Sequence, residues 1–498
     1  MLDPRSPVLV GVGTCFDDVE AVELMVRATE MAAHDAGSSA LLAAVQRVAV
    51  PRGTWSYTDP GRIVAERIGA PDAVTHLVDL GIPQQTLINQ ALRAILDGDL
   101  DVALVVGAEA KARAARAAQR SRAANAEGIR DVFRRTKPAD DGASEIDQGG
   151  AAPDQHQVPQ GEFLAPPELE AGLFAPIEQY ALMESAVRAA DGITVDEHRR
   201  EIAELWTRFN AVAHTNPEAA FANDLDADSL VALGPGNRPL AFPYGKWHAS
   251  QWTVDQAAAL LLCSAEAAER FGVDRDRWIV PLVGVESSAS LSLTKRRDLG
   301  RWPAMRALGA AAEVRVARPL RECDHVELYS CFPLAVRVQQ RELGFAPDGT
   351  PTITGGMTFA GGPFNSFVLQ ATAAMARRLR AAPGVGLITS VSGMLTKPGL
   401  AVWASEPDDR PPLVADLAAE ATAATAAVEV ASTHEGPAAI AACTVTYDGM
   451  DPKELVAILD TDSGTRVIAK SSDPEWMRRA TSEELVGTRV DVSGNALR

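Results

Sequence analysis

Five cysteines in 498 residues form no CxxC pair, and their number is odd. That pattern argues against a disulfide framework and against a zinc ribbon. No uninterrupted apolar run reaches the roughly 18 residues of a membrane-crossing helix. The opening Met-Leu-Asp-Pro-Arg-Ser-Pro has no apolar core of a secretory signal, so the expected location is the cytoplasm. Basic side chains are also in deficit, 47 against 66 acidic, for a net charge of −19. A surface of that sign repels phosphate backbones and anionic lipids, which excludes a general nucleic-acid or membrane role. It leaves room for an anionic ligand held locally by arginines or helix N-termini.

Familiar catalytic and nucleotide signatures are missing as well. Gly11-Val-Gly13 lacks the third glycine of a dinucleotide fingerprint, and Gly245-Lys246 is followed by Trp247 rather than a magnesium-binding hydroxyl. There is no GxSxG elbow, no HExxH and no expected metal site.

What is present is an α/β pattern. Apolar runs at 7–12, 45–50, 74–80 and 102–106 alternate with amphipathic helices predicted near 19–34, 61–68 and 84–96. Such alternation implies a parallel or mixed sheet covered on both faces. The pattern breaks after Lys111. Residues 136–161, carrying Asp140, Asp141, Glu145, Asp147 and Asp154, read as a mobile acidic insertion. Helices are predicted to resume at 176–191 and 195–209. Thr253–Gln256 reads as a capping box ahead of a helix over 256–271. A second α/β stretch follows, with strands near 279–285, 326–329 and 387–391 and helices over 333–343 and 364–379.

Two segments match in register. Pro83-Gln-Gln-Thr-Leu-Ile-Asn-Gln-Ala91 and Pro363-Phe-Asn-Ser-Phe-Val-Leu-Gln-Ala371 each follow a glycine, open a helix and lead into an apolar strand. This favours a duplicated unit. The expected organisation is a first half over 1–110 and 251–272, an inserted loop domain over 111–250 and a second half over 273–405. A linker over 406–437 and a small β-rich domain over 438–498 complete it.

Several side chains have two readings. Cys331, in Tyr329-Ser-Cys-Phe-Pro333, lies between a strand and a helix start, where backbone N–H groups favour a thiolate; the alternative, and the commoner case for a free cysteine, is a buried structural residue packed beside Phe332. His325 and Glu327 are either a polar strand edge or an acid–base pair. The run Gly355-Gly-Met-Thr-Phe-Ala-Gly-Gly362 lets backbone approach a ligand, through Gly355, Gly356, Gly361 and Gly362, or lets a helix pack tightly. Asn365 and Ser366, placed on the first turn of the next helix, bind a carbonyl oxygen or cap the helix. Lys397 holds an anion or stands in solvent.

Together these segments resemble the thiolase superfamily. The carriers are Gly81-Ile-Pro-Gln84, Gly98-Asp-Leu-Asp-Val-Ala-Leu-Val-Val-Gly-Ala-Glu109, Glu327-Leu-Tyr-Ser-Cys-Phe-Pro333 and Gly355–Pro363. The resemblance spans nearly the whole chain and is nearest to the thiolase-like type 1 proteins, relatives of the sterol-carrier-protein thiolases with an extra C-terminal domain. It implies a five-layered αβαβα fold from two related halves, coenzyme A or acyl-CoA as ligand with no covalently bound cofactor, and a role in lipid metabolism. The nominal activity is that of an acetyl-CoA acetyltransferase.

Thiolase chemistry needs a cysteine nucleophile, a second cysteine as acid/base and a histidine at an oxyanion hole. By the resemblance these positions fall on Gly81, within Ser390-Val-Ser392, and on Gly362. The Asn-Glu motif falls near Ser330-Cys331, and Cys331-Phe332 is similar to the sterol-carrier group. Histidines of the type 1 proteins fall on Gln370 and Pro398. Covalent acyl transfer through the usual nucleophile is therefore excluded. Two functions stay open. One is a carbon–carbon lyase step on acyl-CoA, with Cys331, Asn365, Ser392 or Tyr329 at the reacting carbonyl. The other is non-catalytic binding of CoA or acyl-CoA, as a homodimer or with a partner subunit.

Overall fold

The computed structural model describes residues 2–124, 145–161 and 164–498. Pro7–Cys15, Asp255–Ser264, Val102–Ala110, Arg47–Pro51, Val74–Val78 and Gln155–Gln157 form one sheet in that order. A second sheet runs His325–Glu327, Val385–Ser392, Lys397–Ala404, Val280–Glu286, Leu413–Asp416.

The two sheets repeat one topology. In the first, the opening strand pairs antiparallel with 255–264, which pairs antiparallel with 102–110, which lies two strands from 74–78 through the parallel strand 47–51. In the second, 280–286, 397–404, 385–392 and 325–327 follow the same antiparallel, antiparallel, parallel sequence. The duplication read from nine residues thus extends to the whole connection pattern.

Helices Gln84–Leu96 and Phe367–Ala381, the two carriers of that repeat, pack between the sheets. Their N-termini meet, and Val368 N donates to Gln84 Oε1 at 2.8 Å. Ala21–Ala36 and Pro60–Arg67 cover the outer face of the first sheet, and Pro303–Val316 lies on the second. The result is a five-layered αβαβα sandwich. Central strands are buried on both faces, every residue of 7–15 included, which is why they read as continuous apolar runs. Gly11 and Gly13 mark where helix 21–36 crosses its strand: a Cβ at Gly13 would stand 2.0 Å from Ala28 O.

Four expectations need correction. The predicted helix 256–271 is the strand Asp255–Ser264 followed by a short helix, Ala265–Arg270, capped by Ser264 Oγ. Its Ala/Leu run is apolar all round, so periodicity favours neither state; hydrogen bonding to a strand on each side decides. The acidic insertion is not free of the body. Residues 136–144, with Asp140 and Asp141, lie outside the described residues. Beyond them Glu145 accepts from Ser56 N at 2.7 Å, Asp154 accepts from Thr75 N at 2.8 Å, and Gln155–Gln157 adds a parallel strand to the edge strand 74–78. The stretch 406–437 carries the strand Leu413–Asp416 and the helix Ala418–Ala424, the latter packed on helix 303–316. Finally, Asn365 precedes the helix rather than opening it, since the first turn begins at Phe367.

At the C-terminus, His434–Asp448, Asp451–Thr461, Arg466–Ser471, Ala496–Leu497 and Arg489–Gly494 close into a five-stranded barrel, the long first strand pairing with both the second and the fourth. With helix Pro474–Ser482 between the third and fourth strands, this is an OB-type barrel. It is docked firmly. Arg466, 2% exposed, donates to Thr294 O, Arg296 O and Arg297 O and pairs with Asp460 at 2.7 Å. Cys443 N donates to Ser185 Oγ at 2.9 Å on helix Pro176–Asp191. Among the described residues no helix is long and apolar enough to cross a membrane.

Candidate functional site

The loops that leave the paired strands of the two halves converge around Gly81, residues 328–333, 355–363 and 392–397. Gly81 has φ +95°, and its carbonyl accepts from Lys397 Nζ at 3.0 Å. A second ammonium proton goes to Gln160 O at 3.2 Å. Lys397 is only 4% exposed, and burial lowers its pKa against the opposing pull of Asp416. The expectation of a solvated lysine is overturned: the ammonium is a bolt between the second half, the first half and the inserted segment.

Ser392 lies opposite Lys397 in the strand ladder and is buried. Cys331 Sγ donates to Tyr180 Oη at 3.4 Å, and Tyr180 stacks on Phe332 with ring centres 4.4 Å apart. Tyr180 Oη in turn donates to Gly393 O at 3.4 Å, next to Ser392. Tyr180 therefore joins Cys331 to the loop after Ser392. The thiol is not activated: burial pushes Cys331 up to about 12, outweighing its hydrogen bonds. A thiolate favoured by the helix start at Pro333 is thus excluded. Tyr329 is fully buried and its phenol is pushed up by burial as well.

Asn365 stands apart from this group. Its Nδ2 donates to Arg52 O at 3.1 Å, tying the second half to the first. Neither Asn365 nor Ser366 caps the helix by side chain; Gln84 takes that place, across the pseudo-symmetry. His325 Nε2 donates to Ala382 O at 2.9 Å. Glu327 accepts from Ile353 N, Thr354 N and the hydroxyls of Thr352 and Thr354. The two are structural, not an acid–base pair.

The four glycines are approached by protein. A Cβ at Gly355 would lie 2.5–2.6 Å from Ala213, backbone included, and one at Gly356 2.6 Å from the Phe209 ring. At Gly361 it would meet the Gln256 amide at 2.6 Å, and at Gly362 Ser250 Oγ at 1.9 Å. Helix Val195–Ala213 and residues 250–256 fill the space beside the run. No side chain fits at Gly362 without displacing its neighbours.

Sequence reasoning missed Tyr180, because no motif surrounds it, and missed the burial of Lys397. It also missed a polar cavity of about 730 Å³ on the far side of helix 84–96, lined by Arg47, His76, Asn89, Arg93 and Glu286. Glu286 accepts from Thr86 Oγ1, and burial raises it from 4.5 to about 7. A carboxyl raised on folding contributes stability that is complete below its unfolded pKa and is lost as pH rises through its folded pKa. Stability to urea is therefore expected to fall between about pH 4.5 and about pH 7, and Glu286→Gln to lessen that fall. Glu109, also raised to about 7 by burial, leaves part of the slope in place. An unchanged slope in Glu286→Gln would contradict the assignment. Among the described residues no group of three His, Cys, Asp or Glu is placed to hold a metal.

No family model and no curated protein matches the sequence. Solved structures do. The chain is similar to a monomeric SCP2-thiolase-like protein type 1 from Mycobacterium smegmatis, at 26% identity and TM-score 0.80, covering 99% of this chain and 98% of that one. An acetyl-CoA acetyltransferase from Syntrophomonas wolfei matches at 16% identity and TM-score 0.54, covering 81% of this chain and 99% of that one. An Ltp2–ChsH2(DUF35) aldolase matches at 17% and 0.56, with the same coverage. Two pseudo-equivalent halves, a central pair of helices and these likenesses place the chain in the thiolase superfamily. Within that superfamily the likeness that spans 99% of this chain is to an SCP2-thiolase-like protein type 1.

Proposed function

We propose that this protein binds a coenzyme A thioester without forming a covalent acyl intermediate. The observation that carries the reading is Lys397 Nζ on the carbonyl of Gly81: the position of the family's nucleophile holds no thiol and is sealed by a buried ammonium. The acyl-CoA class of ligand is supported by the thiolase fold and by the acetyl-CoA acetyltransferase among its structural neighbours. Cys331, Ser392 and Asn365 then serve as polar framework rather than nucleophile, acid and oxyanion donor. The glycines 355, 356, 361 and 362 set the width of the site by packing. A carbon–carbon lyase step is the second reading, supported by the aldolase of the same fold; in it Ser392 or Tyr329 polarises the acyl carbonyl. That aldolase also supports a partner subunit. Strand 155–157 covers the edge strand 74–78 from within the chain, which leaves that strand no free edge for pairing with a second copy.

Isothermal titration with CoA and with acetyl-CoA tests the proposal. Saturable binding, tighter for the thioester and without product, is expected. No heat with either ligand removes both readings. Cleavage of an acyl-CoA in a panel of such esters moves the lyase reading to the front.

A further inference from the structure

The polar cavity of about 730 Å³ beside helix Gln84–Leu96 lies where the two halves meet. Its walls are the helix face carrying Asn89, Gln90 and Arg93, strands Val74–Val78 and Gln155–Gln157 of the first sheet, and Leu413–Asp416 of the second. Positions 86, 89, 90, 93 and 97 follow one another along one face of the helix, over about 16 Å. The volume is in the range of small-molecule sites.

Charge is unevenly distributed along this face. At one end Glu286, 9% exposed, accepts from Thr86 Oγ1, with the Asn89 amide beside it and Asp416 opposite it in the strand ladder. At the other end the half-buried Arg47 makes no hydrogen bond or ion pair with a described residue, and Asp99 attracts it from beyond ion-pair distance. Between them stands His76, 7% exposed, whose ring has no hydrogen-bond partner among the described residues. Burial beside Arg47 holds that ring at about 4, so it is a neutral imidazole with one N–H to donate. Arg93 is engaged by Val414 O, and Asp97 and Asp99 are exposed, where water screens them. Glu286, His76 and Arg47 are thus the groups that solvent satisfies least. A ligand with charge of one sign would answer one end of the cavity and leave the other unmet.

We propose that this cavity binds a linear zwitterion, an amino acid whose ammonium and carboxylate stand at opposite ends of an aliphatic chain. The ammonium donates to Glu286, and the carboxylate accepts from Arg47 and His76. Ala94, Val414 and Ala415 give the chain its apolar contact. An α-amino acid, with both charges on one carbon, cannot reach both ends, because Thr86 beside Glu286 and Asp97 near Arg47 are about three helical turns apart. This site is separate from the loops around Gly81 and stands whether or not a coenzyme A ester binds there.

The test is isothermal titration of the full chain with 6-aminohexanoate at about pH 8, above the value of about 7 to which burial raises Glu286. Hexanoate and hexylamine, each lacking one charged end, are the controls. Saturable binding of 6-aminohexanoate is expected, with each control weaker by about tenfold or more. Arg47→Gln should weaken 6-aminohexanoate by about tenfold and leave hexylamine unchanged, whereas Glu286→Gln should weaken it and leave hexanoate unchanged. Arg47 is half-buried and unpaired, so its variant carries the test if Glu286→Gln fails to fold. No saturation with the folded wild type overturns the proposal. So does either control binding as tightly as 6-aminohexanoate, or undiminished binding of 6-aminohexanoate in folded Arg47→Gln. Coenzyme A titrated into the same variants should bind as in the wild type, which separates the failure of one site from the failure of the other.

Discussion

Gly355→Ala is expected to destabilise the protein by about 3–5 kcal/mol, read as a lower urea midpoint at unchanged slope. Gly355 has φ +95°, where a side chain is strained, and the added Cβ would lie 2.6 Å from backbone atoms of Ala213. Helix backbone cannot swing aside as a side-chain tip can. The turn is fixed from below too: Gly355 N donates to Thr352 Oγ1 at 2.9 Å, and Thr352 is held by the fully buried Glu327. Gly436→Ala is the control. Its φ is +107°, but nothing lies within 4 Å of the added atom, so only the backbone cost of about 1–2 kcal/mol applies. Equal losses in the two variants would show that helix 195–213 does not press on the glycine run.

The second large effect is a loss of reactivity. Incubated with acetyl-CoA, the intact protein should gain no acetyl group, and thiolysis of acetoacetyl-CoA should stay at the uncatalysed level. Gly81 offers no nucleophile, and Cys331, the one thiol beside the converging loops, is raised to about 12. Burial therefore keeps it as the neutral thiol at neutral pH, whereas a free cysteine is a few per cent thiolate. Intact-mass measurement checks the first point. One acetyl group that disappears in Cys331→Ala would overturn the framework role given to that residue. Slow alkylation of Cys331 in the folded state is the companion expectation.

Legibility followed the range of the forces involved. Helices 84–96 and 333–343 were readable to the residue, because an amphipathic repeat, a proline at the start and a glycine stop at 344 are all local. The duplicated unit was readable because its two helices occupy equivalent places and so retain similar faces. The strand 255–264 was not, since an Ala/Leu run carries no period and its two neighbours lie more than 140 residues away in sequence. Lys397 was misread for the same reason. Its burial is made by Gly81 and Gln160, and a lysine placed after a polar loop carries no local sign of either. The linker was read from its prolines, whereas Leu413 and Val414 were enough to dock a strand on 280–286. Of the candidate site, the sequence identified which loops meet; it did not identify what fills them, because Tyr180, Phe209 and Ser250 arrive from the inserted segment.

Arg466 gives the C-terminal barrel a consequence of its own. A guanidinium shared among three main-chain oxygens of residues 294, 296 and 297 cannot be withdrawn without stranding all of them at once. The barrel and the second half are therefore expected to melt together in calorimetry, as one cooperative unit rather than as beads on a string. Evolution could then vary the barrel's outward surface freely while the seam beneath it stayed fixed, and any shortened form of the chain that lacks the barrel inherits a wound rather than a clean edge.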